Sequence, residues 1–258
     1  MSNDLVLRDN RDAVLTLTMN RPERKNAFNN PLYKAFAAAL QEAQRDDDVH
    51  VVVITGTAGA FSAGQDFSEM SSAPTGDGGP HGFQVLMDTL CSFDKPLIAA
   101  VNGVAVGIGM TMLLHCDIVY LAESVRMRCP FVTLGVVPEA ASSYLLPAII
   151  GFQRAAEVLY TAQWIDARRA LELGLAARVV PDGEVLGVAQ AKAAEIAVHP
   201  PRAVQHSKQL LLATRADAVR AARVREDEAF AVRIGSPENI EAITAFFEKR
   251  APDFRKKR

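Results

Sequence analysis

The sequence predicts an α/β fold, in which strands and helices alternate in a core and a region of helices alone follows. Residues 49–55 and 97–101 are short, almost continuously apolar runs, which are typical of strands buried on both faces of a parallel sheet. From Glu184 onward, helix signals follow one another with no strand pattern between them. We therefore expect a core over residues 1–195 and a helical C-terminal region over residues 196–258.

The first strand-helix-strand unit lies in the N-terminal quarter of the chain. Residues 13–19 alternate with the period of a half-buried strand. A polar turn with three cations follows at residues 20–28. Asn30 is then the expected N-cap of a helix, because Pro31 suits the first helical position. The apolar run at residues 49–55 completes the unit.

The later elements are predicted from the same signals of periodicity, capping and glycine stops. Helices are expected over residues 83–90, 110–115, 151–160 and 167–173, strands over 97–101, 116–121, 127–131 and 178–180, and C-terminal helices over 184–198 and from Pro201, Asp217 and Ser236.

Composition excludes several classes of protein. A length of 258 residues suits one large domain, or one domain with a small appendage. Hydrophobic residues at 49% and charged residues at 22% are near the globular average, so neither disorder nor a coiled coil is indicated. The net charge of -2 gives no reason to expect nucleic acid as a partner.

The cysteines and the N-terminus indicate an intracellular protein. Cys91, Cys116 and Cys129 form an odd set without metal-ligand spacing, so we expect reduced thiols and no metal site. The first residues are polar and no apolar signal core follows them. No apolar run reaches the 18 or so residues of a membrane span, so a cytoplasmic location without membrane contact is expected.

One carboxylate, Glu139, lies among apolar and small residues in the stretch at residues 130–147. Loss of hydration there would raise its pKa toward working pH, as a proton shuttle requires. Alternatively, because Glu139 follows Pro138, it could be an acid in the first turn of a helix, where it complements the helix dipole. The stretch alone leaves both interpretations open.

Two glycine-rich turns each follow a predicted strand, at residues 56–66 and 102–109. A glycine turn at a helix N-terminus exposes unpaired N–H groups, which stabilise a developing negative charge. The glycines could equally serve close packing of a helix on a strand, and the two roles are compatible. Their spacing does not match a dinucleotide fingerprint, and no P-loop lysine is present.

With these turns, the chain resembles the crotonase (enoyl-CoA hydratase/isomerase) superfamily along nearly its whole length. The resemblance implies a spiral of ββα turns with two nearly perpendicular sheets, and C-terminal helices that form trimers, often paired into hexamers. It also implies an acyl-CoA substrate, with coenzyme A as part of that substrate and no separate cofactor. The motifs that carry it are FSAGQDF at residues 61–67, KPLIAAVNGVAVGIG at residues 95–109, Cys116-Asp117, and LGVVP at residues 134–138.

The resemblance assigns three catalytic positions. The backbone N–H groups of Gln65 and Ile108 would form an oxyanion hole for the thioester oxygen. The two glutamates of the family's hydratases are replaced by Thr111 and Phe131, so ordinary hydration is disfavoured. Glu139 instead matches the catalytic glutamate of peroxisomal-type Δ3,Δ2-enoyl-CoA isomerases. The run PEAASSY at residues 138–144 is similar to their Pro-Glu-Gly-x-Ser-Ser-Tyr run.

Isomerisation of a 3-enoyl-CoA to trans-2-enoyl-CoA is therefore the leading expectation. Another crotonase reaction, such as dienoyl-CoA isomerisation or a hydratase-like activity, is the first alternative. A catalytically silent acyl-CoA-binding protein is the second, since it would keep the fold and the oxyanion hole without turnover.

The resemblance also implies contacts to coenzyme A, although the cations among them could be ordinary solvated residues. Asp66 and Asp117 are expected to make structural hydrogen bonds. Residues 71–82 fall where the family has a pocket loop, which we expect to become ordered over acyl-CoA. His81 in that loop is expected to be an exposed histidine and not a catalytic one. The expected coenzyme A contacts are Arg24, Lys25, Ala27, Phe28, Ala63, Asp66 and Lys249, with Phe246 close to Lys249 in a C-terminal helix.

Overall fold

The computed structural model describes residues 4–70 and 80–255, and it confirms the α/β class. Two sheets contain the described strands. The strands are β1 (Val6–Arg11), β2 (Val14–Met19), β3 (Val51–Gly56), β4 (Ala60–Ser62), β5 (Leu97–Val101), β6 (Val104–Val106), β7 (Ile118–Ala122), β8 (Arg126–Arg128), β9 (Ile165–Asp166) and β10 (Arg178–Val180).

The larger sheet has the order β1-β2-β3-β5-β7-β10, and the smaller has the order β4-β6-β8-β9. Neighbours are parallel except for β1 with β2 and β8 with β9. Every residue of β3 and β5 is buried, as their continuous apolar runs predict.

Helices cover the sheets and form the C-terminal region. Short 3₁₀ segments occur at Pro22–Arg24, Met112–His115 and Val132–Leu134. The helices are α1 (Asn30–Arg45), α2 (Phe67–Met70), α3 (Gly82–Ser92), α4 (Ile108–Thr111), α5 (Ser142–Ile150), α6 (Phe152–Thr161), α7 (Ala167–Leu173), α8 (Val185–Ala197), α9 (Pro201–Ala213), α10 (Ala216–Arg233) and α11 (Pro237–Phe247).

Three packing contacts place the functional region. Helix α1 packs against α3, and α8 packs on the larger sheet. Helix α10 lies against α5, which follows Glu139 in the chain. The division at residues 195 and 196 stays a prediction. None of the helices in the described ranges is long and apolar enough to cross a membrane.

Some element boundaries differ from those predicted. The N-cap of α1 is Asn29, whose side chain accepts the Leu32 N–H at 3.0 Å, and not Asn30. The side chain of Asn30 instead accepts the N–H of Gly82 at 2.7 Å, so it connects α1 to α3. The predicted strand at 127–131 ends early, at Arg128, because Pro130 has no N–H to donate to a ladder.

Candidate active site

The smaller sheet brings the two glycine turns together. Strands β4 and β6 are parallel neighbours, with Ala60 opposite Val104. The carboxyl ends of both strands therefore lie at one edge of the sheet, and the turn carrying Gln65 and the turn carrying Ile108 both begin there. The structure thus places the two predicted donors on adjacent turns.

The glycines allow these turns to touch. A Cβ on Gly64, whose φ is +94°, would lie 2.7 Å from the carbonyl oxygen of Val106. A Cβ on Gly109 would lie 2.7 Å from the carbonyl oxygen of Ser62. Both distances are shorter than real Cβ contacts, so only glycine fits at either position without a shift of backbone. Close packing is therefore one reason for the glycines.

The backbone N–H groups of Gln65 and Ile108 are not used by the surrounding structure. Ile108 is the first residue of α4, so its N–H has no acceptor within the helix. The bridge between Phe28 and Gln65 uses the carbonyl of Gly64 and the N–H of Asp66. Neither N–H has an acceptor among the hydrogen bonds of residues 4–70 and 80–255.

Glu139 lies in an irregular segment between the 3₁₀ turn at Val132–Leu134 and α5. Its Oε1 accepts a hydrogen bond from the Thr111 hydroxyl at 2.6 Å. Its Oε2 is buried and has no hydrogen-bond partner within the described parts of the chain. Burial raises the pKa of Glu139 to about 8; the hydrogen bond from Thr111 lowers it, and the charges of Glu226 and Asp227 raise it.

The interpretation of Glu139 as an acid in a first helical turn is wrong. Helix α5 begins at Ser142, three residues later, and the carbonyl of Glu139 accepts the Ser142 N–H at 3.0 Å. Between them, Ala140 and Ala141 have φ values of +60° and +58°. The chain thus reverses after Glu139, and the carboxyl is directed toward Thr111 on α4 instead of lying in the helix.

The two positions that carry glutamates in the family's hydratases are buried here. Thr111 is fully buried and donates to Glu139, while Phe131 is 5% exposed. A hydroxyl of ordinary acidity and a phenyl ring cannot act as a carboxylate acid or base at neutral pH. At this site, Glu139 is therefore the carboxylate that is buried and accepts a hydrogen bond from α4.

Glu226, on α10, was not predicted, yet it contacts the segment after Glu139. Its carboxylate accepts the N–H of Ala141 at 2.6 Å and the N–H of Ser143 at 2.7 Å. On the other side, the Nε2 of His115 lies 2.8 Å from the carbonyl oxygen of Ala140. Burial lowers the pKa of His115 to about 4, so the ring is neutral and donates its Nε2–H. No local pattern marks Glu226, which lies 85 residues from Ala141.

The predicted coenzyme A segments lie side by side. The N–H of Ala63 donates to the carbonyl of Lys25 at 2.9 Å. Asp66 pairs with Arg21 at 3.0 Å; burial opposes its ionisation, but hydrogen bonds from Ser68 and Arg21 lower its pKa overall. Asp66 thus makes structural bonds, as expected, and Arg21 was not predicted.

The side chains of the other predicted contacts differ in exposure. Arg24, Lys25 and Lys249 are exposed. Ala27 is buried, and the fully buried ring of Phe28 stacks on Tyr33 with 4.7 Å between centroids. Only the backbone of Phe28 can therefore reach a ligand.

Three further predicted features can be located. Asp117 accepts the Leu97 N–H at 2.7 Å and pairs with Lys208 at 2.8 Å, which is the expected structural role. His81 is exposed and caps α3. The ring of Phe246 lies 5.2 Å from that of Phe67, so α11 reaches the Gln65 turn. The predicted ordering of residues 71–82 falls largely on residues 71–79, outside the described residues.

The structure has a two-sheet α/β core, two adjacent glycine turns and the buried carboxyl of Glu139. The resemblance to acyl-CoA enzymes implies such an arrangement, and similarity to known proteins supports the same family. A sequence model described as enoyl-CoA hydratase/isomerase matches residues 9–257. The chain belongs to that family, within the crotonase superfamily.

Similar proteins include both hydratases and isomerases. The chain is 37% identical to a 2,3-dehydroadipyl-CoA hydratase of Escherichia coli, over 99% of each chain. It is 34% identical to enoyl-CoA delta isomerase 2 of Rattus norvegicus, over 92% of this chain and 62% of the rat protein. A crystal structure of an enoyl-CoA hydratase/isomerase from Pseudoalteromonas atlantica has a TM-score of 0.94 and 39% identity, covering 97% of this chain and 99% of that one.

Proposed function

We propose that the protein shifts the double bond of a 3-enoyl-CoA to give trans-2-enoyl-CoA, with Glu139 as the proton shuttle. The observation that carries the proposal is the buried Oε2 of Glu139, which has no partner in the described chain and is therefore available to a substrate. The carboxylate removes a proton from C2 of the thioester, and the electrons pass to the thioester oxygen as a dienolate. The same carboxyl then returns the proton at C4, so no other acid is needed.

The N–H groups of Gln65 and Ile108 are proposed to bind the dienolate oxygen. Their position on adjacent turns, without acceptors in the surrounding described structure, supports this role. Preorganised donors of this kind stabilise charge most where it develops in the transition state.

The absence of a second carboxylate favours isomerisation over hydration. Hydration needs an acid and a base around a water molecule, and Thr111 and Phe131 supply neither. Isomerisation needs only one base, which Glu139 provides. Among the similar proteins, the rat delta isomerase supports this assignment, whereas the Escherichia coli hydratase supports the alternative.

Coenzyme A is proposed to lie along the paired segments at residues 24–28 and 63–66. The exposed cations Arg24, Lys25 and Lys249 would meet its phosphates, because Arg and Lys bind phosphate by charge and hydrogen bonding. The backbones of Ala27, Phe28 and Ala63 would border the pantetheine. Asp66 supports the path by pairing with Arg21.

We also propose that the chain assembles as a homotrimer or a dimer of trimers. Large apolar side chains that are mostly exposed in the single chain support assembly, because such surface is usually covered by a partner. They include Phe152, Tyr160, Val198, Leu210, Leu211 and Val232.

The assignment is tested by supplying trans-3-enoyl-CoA to the wild-type protein and to Glu139→Gln. We expect the wild type to form trans-2-enoyl-CoA and Glu139→Gln to lose about 10² to 10⁴ in kcat/KM, as general-base removal does. Because the base must be ionised, the wild-type kcat/KM should rise with pH up to about 8.

Glu228→Gln is the matched control, since Glu228 is exposed and carries the same change of charge. It should keep wild-type activity. Hydration of trans-2-enoyl-CoA without isomerisation would replace the assignment with a hydratase. Binding of acyl-CoA with turnover of neither substrate would indicate the silent binding protein.

A further inference from the structure

The turn after Glu139 has a backbone conformation that its residues do not favour. Ala140 and Ala141 are both in the left-handed region, with φ values of +60° and +58°. Non-glycine residues rarely adopt this conformation, and two in succession persist only where surrounding contacts hold them. The contacts around this turn therefore determine where the Glu139 carboxyl lies.

Three groups hold the turn from different directions. The carbonyl of Glu139 accepts the N–H of Ser142 at 3.0 Å and its hydroxyl at 2.6 Å. His115 binds the carbonyl of Ala140 at 2.8 Å. The Glu226 carboxylate accepts the N–H groups of Ala141 and Ser143. Only the third contact comes from the C-terminal helices.

Glu226 is buried, at 5% exposure, although a carboxylate on a helix is normally solvated. Both of its oxygens accept a backbone N–H from the turn. Burying a charge is unfavourable unless it is paired or hydrogen-bonded, so this side chain is present at an energetic cost that its two bonds offset. The two N–H groups of the turn therefore determine where this carboxylate lies.

We propose that Glu226 is a positioning residue, which fixes the turn at Ala140 and Ala141 so that the Glu139 carboxyl stays against Thr111. When it is ionised, Glu226 also opposes the ionisation of Glu139. Burial raises the pKa of Glu226 itself, and its hydrogen bonds from Ser143 and Ala141 partly offset that effect. The inference rests on the proposed function of Glu139 as the base. It assigns to α10 a role in the chemistry that is separate from packing. Glu226 itself does not touch the substrate.

The pKa of Glu139 depends on all the charged groups near the turn. Glu226 and Asp227 on α10 both raise the pKa of Glu139, after burial as the largest cause. Arg223 on the same helix is paired with Asp88 of α3 at 2.8 Å. His115 is neutral, since burial lowers its pKa to about 4. Lys208 on α9, Arg215 in the turn before α10, and Arg223 on α10 are cations that also lower the pKa of His115.

The kinetic test compares Glu226→Gln with Asp227→Asn and Glu228→Gln. Glutamine keeps one acceptor oxygen but presents an NH₂ group to the second N–H, so the turn should loosen. We expect Glu226→Gln to lower kcat by about tenfold to a hundredfold with little change in KM, as small misplacements of a reacting group do. The acid limb of its pH profile should move to lower pH.

The two controls separate charge from position. Asp227 is exposed, raises the pKa of Glu139 by its charge and makes no hydrogen bond to the turn among the described residues, so Asp227→Asn should shift the pH profile and keep the wild-type maximum rate. Glu228→Gln should change neither. Unchanged kcat and pH profile in Glu226→Gln would overturn the proposal, as would equal losses in all three variants.

A second measurement needs no turnover. The free energy of unfolding is measured against pH for wild type and for Glu139→Gln, and the difference between the two is taken at each pH. The same pair is measured in the Glu226→Gln background. The pH at which the difference stops growing reports the pKa of Glu139. We expect that pH to fall when Glu226 is neutral; no change would overturn the inference. If the wild type fails to isomerise 3-enoyl-CoA, the proposed function fails, yet this measurement still tests Glu226. If Glu226→Gln does not fold, Glu226→Asp replaces it, because aspartate keeps the charge but is one methylene too short for both bonds to the turn. Glu226→Asp should leave that pH unchanged and lower kcat; a wild-type kcat would overturn the positioning role.

Discussion

At the scale of single residues, the surroundings of Glu139 determine its chemistry. A carboxyl in water has a pKa far below neutrality, whereas burial here raises the pKa of Glu139 to about 8. Thr111 donates one hydrogen bond that partly offsets the effect. The carboxyl can therefore both take and return a proton near neutral pH, which a strongly acidic group does poorly.

The same raised pKa makes folding stability depend on pH. Below pH 4.5 the carboxyl is protonated in both the folded and the unfolded chain, and its contribution to stability is fully present. As pH rises from 4.5 to about 8, the unfolded chain ionises freely while the folded chain does not, so the contribution is lost; above about 8 no further change occurs.

Glu139→Gln should therefore be more stable than wild type, by a margin that grows from pH 4.5 to about 8 and then stays constant. The upper limit of that margin is about 5 kcal/mol, because each pKa unit corresponds to about 1.4 kcal/mol. Urea denaturation at several pH values measures it. A margin independent of pH would mean that Glu139 has an ordinary pKa.

Motifs in the sequence identified candidate site residues, but they did not predict the surroundings of those residues. Glu139, Gln65 and Ile108 were placed by motif, and the structure brings the latter two onto adjacent turns. Glu226 was missed because its contact to Ala141 joins positions 85 residues apart, which no local pattern encodes. The helix-start interpretation of Glu139 failed because left-handed alanines carry no sequence signal comparable to glycine.

At the scale of elements, the site depends on how closely the turns after β4 and β6 approach. Gly109→Ala should destabilise the protein by about 1 to 3 kcal/mol, because its Cβ would lie 2.7 Å from the backbone oxygen of Ser62. It should also lower kcat/KM for the 3-enoyl-CoA at least about tenfold, since Ile108 precedes it and loss of one oxyanion donor costs 10² to 10³.

Gly187→Ala is the matched control for Gly109→Ala. Gly187 is in α8, and a Cβ there would meet no atom within 4 Å. Alanine also favours a helix, so this variant should gain up to about 1 kcal/mol and keep its activity. Thermal unfolding and steady-state kinetics of both variants test the pair. Wild-type activity in Gly109→Ala would show that the separation of the turns is not critical.

The elements that sequence signals missed share a physical cause. The described residues of β1 are mostly exposed, so this edge strand shows no hydrophobic alternation. Strands β4 and β6 border the glycine turns and are only three residues long, which is too short to show a hydrophobic period. Long buried runs such as β3 and β5 were predicted because burial on both faces leaves an unbroken apolar pattern.

At the scale of the whole molecule, the exposed apolar face of α9 supports the proposed assembly. Its buried residue is Lys208, while Leu210 and Leu211 are 72% and 73% exposed. Most helices in proteins are stabilised by packing an apolar face, and a helix of 13 residues is marginal without it. A second copy of the chain would supply the missing contact.

We therefore expect the wild type to sediment at three or six times the mass of one chain, and Leu210→Glu combined with Leu211→Glu to shift it to a lighter species. Buried charges without partners are strongly unfavourable, so two new carboxylates in a contact should disrupt it. Leu210→Met combined with Leu211→Met keeps the apolar area and should leave the mass unchanged. Wild-type mass in the glutamate variant would exclude this face of α9 from the contact, and a wild type that sediments as one chain would contradict assembly altogether.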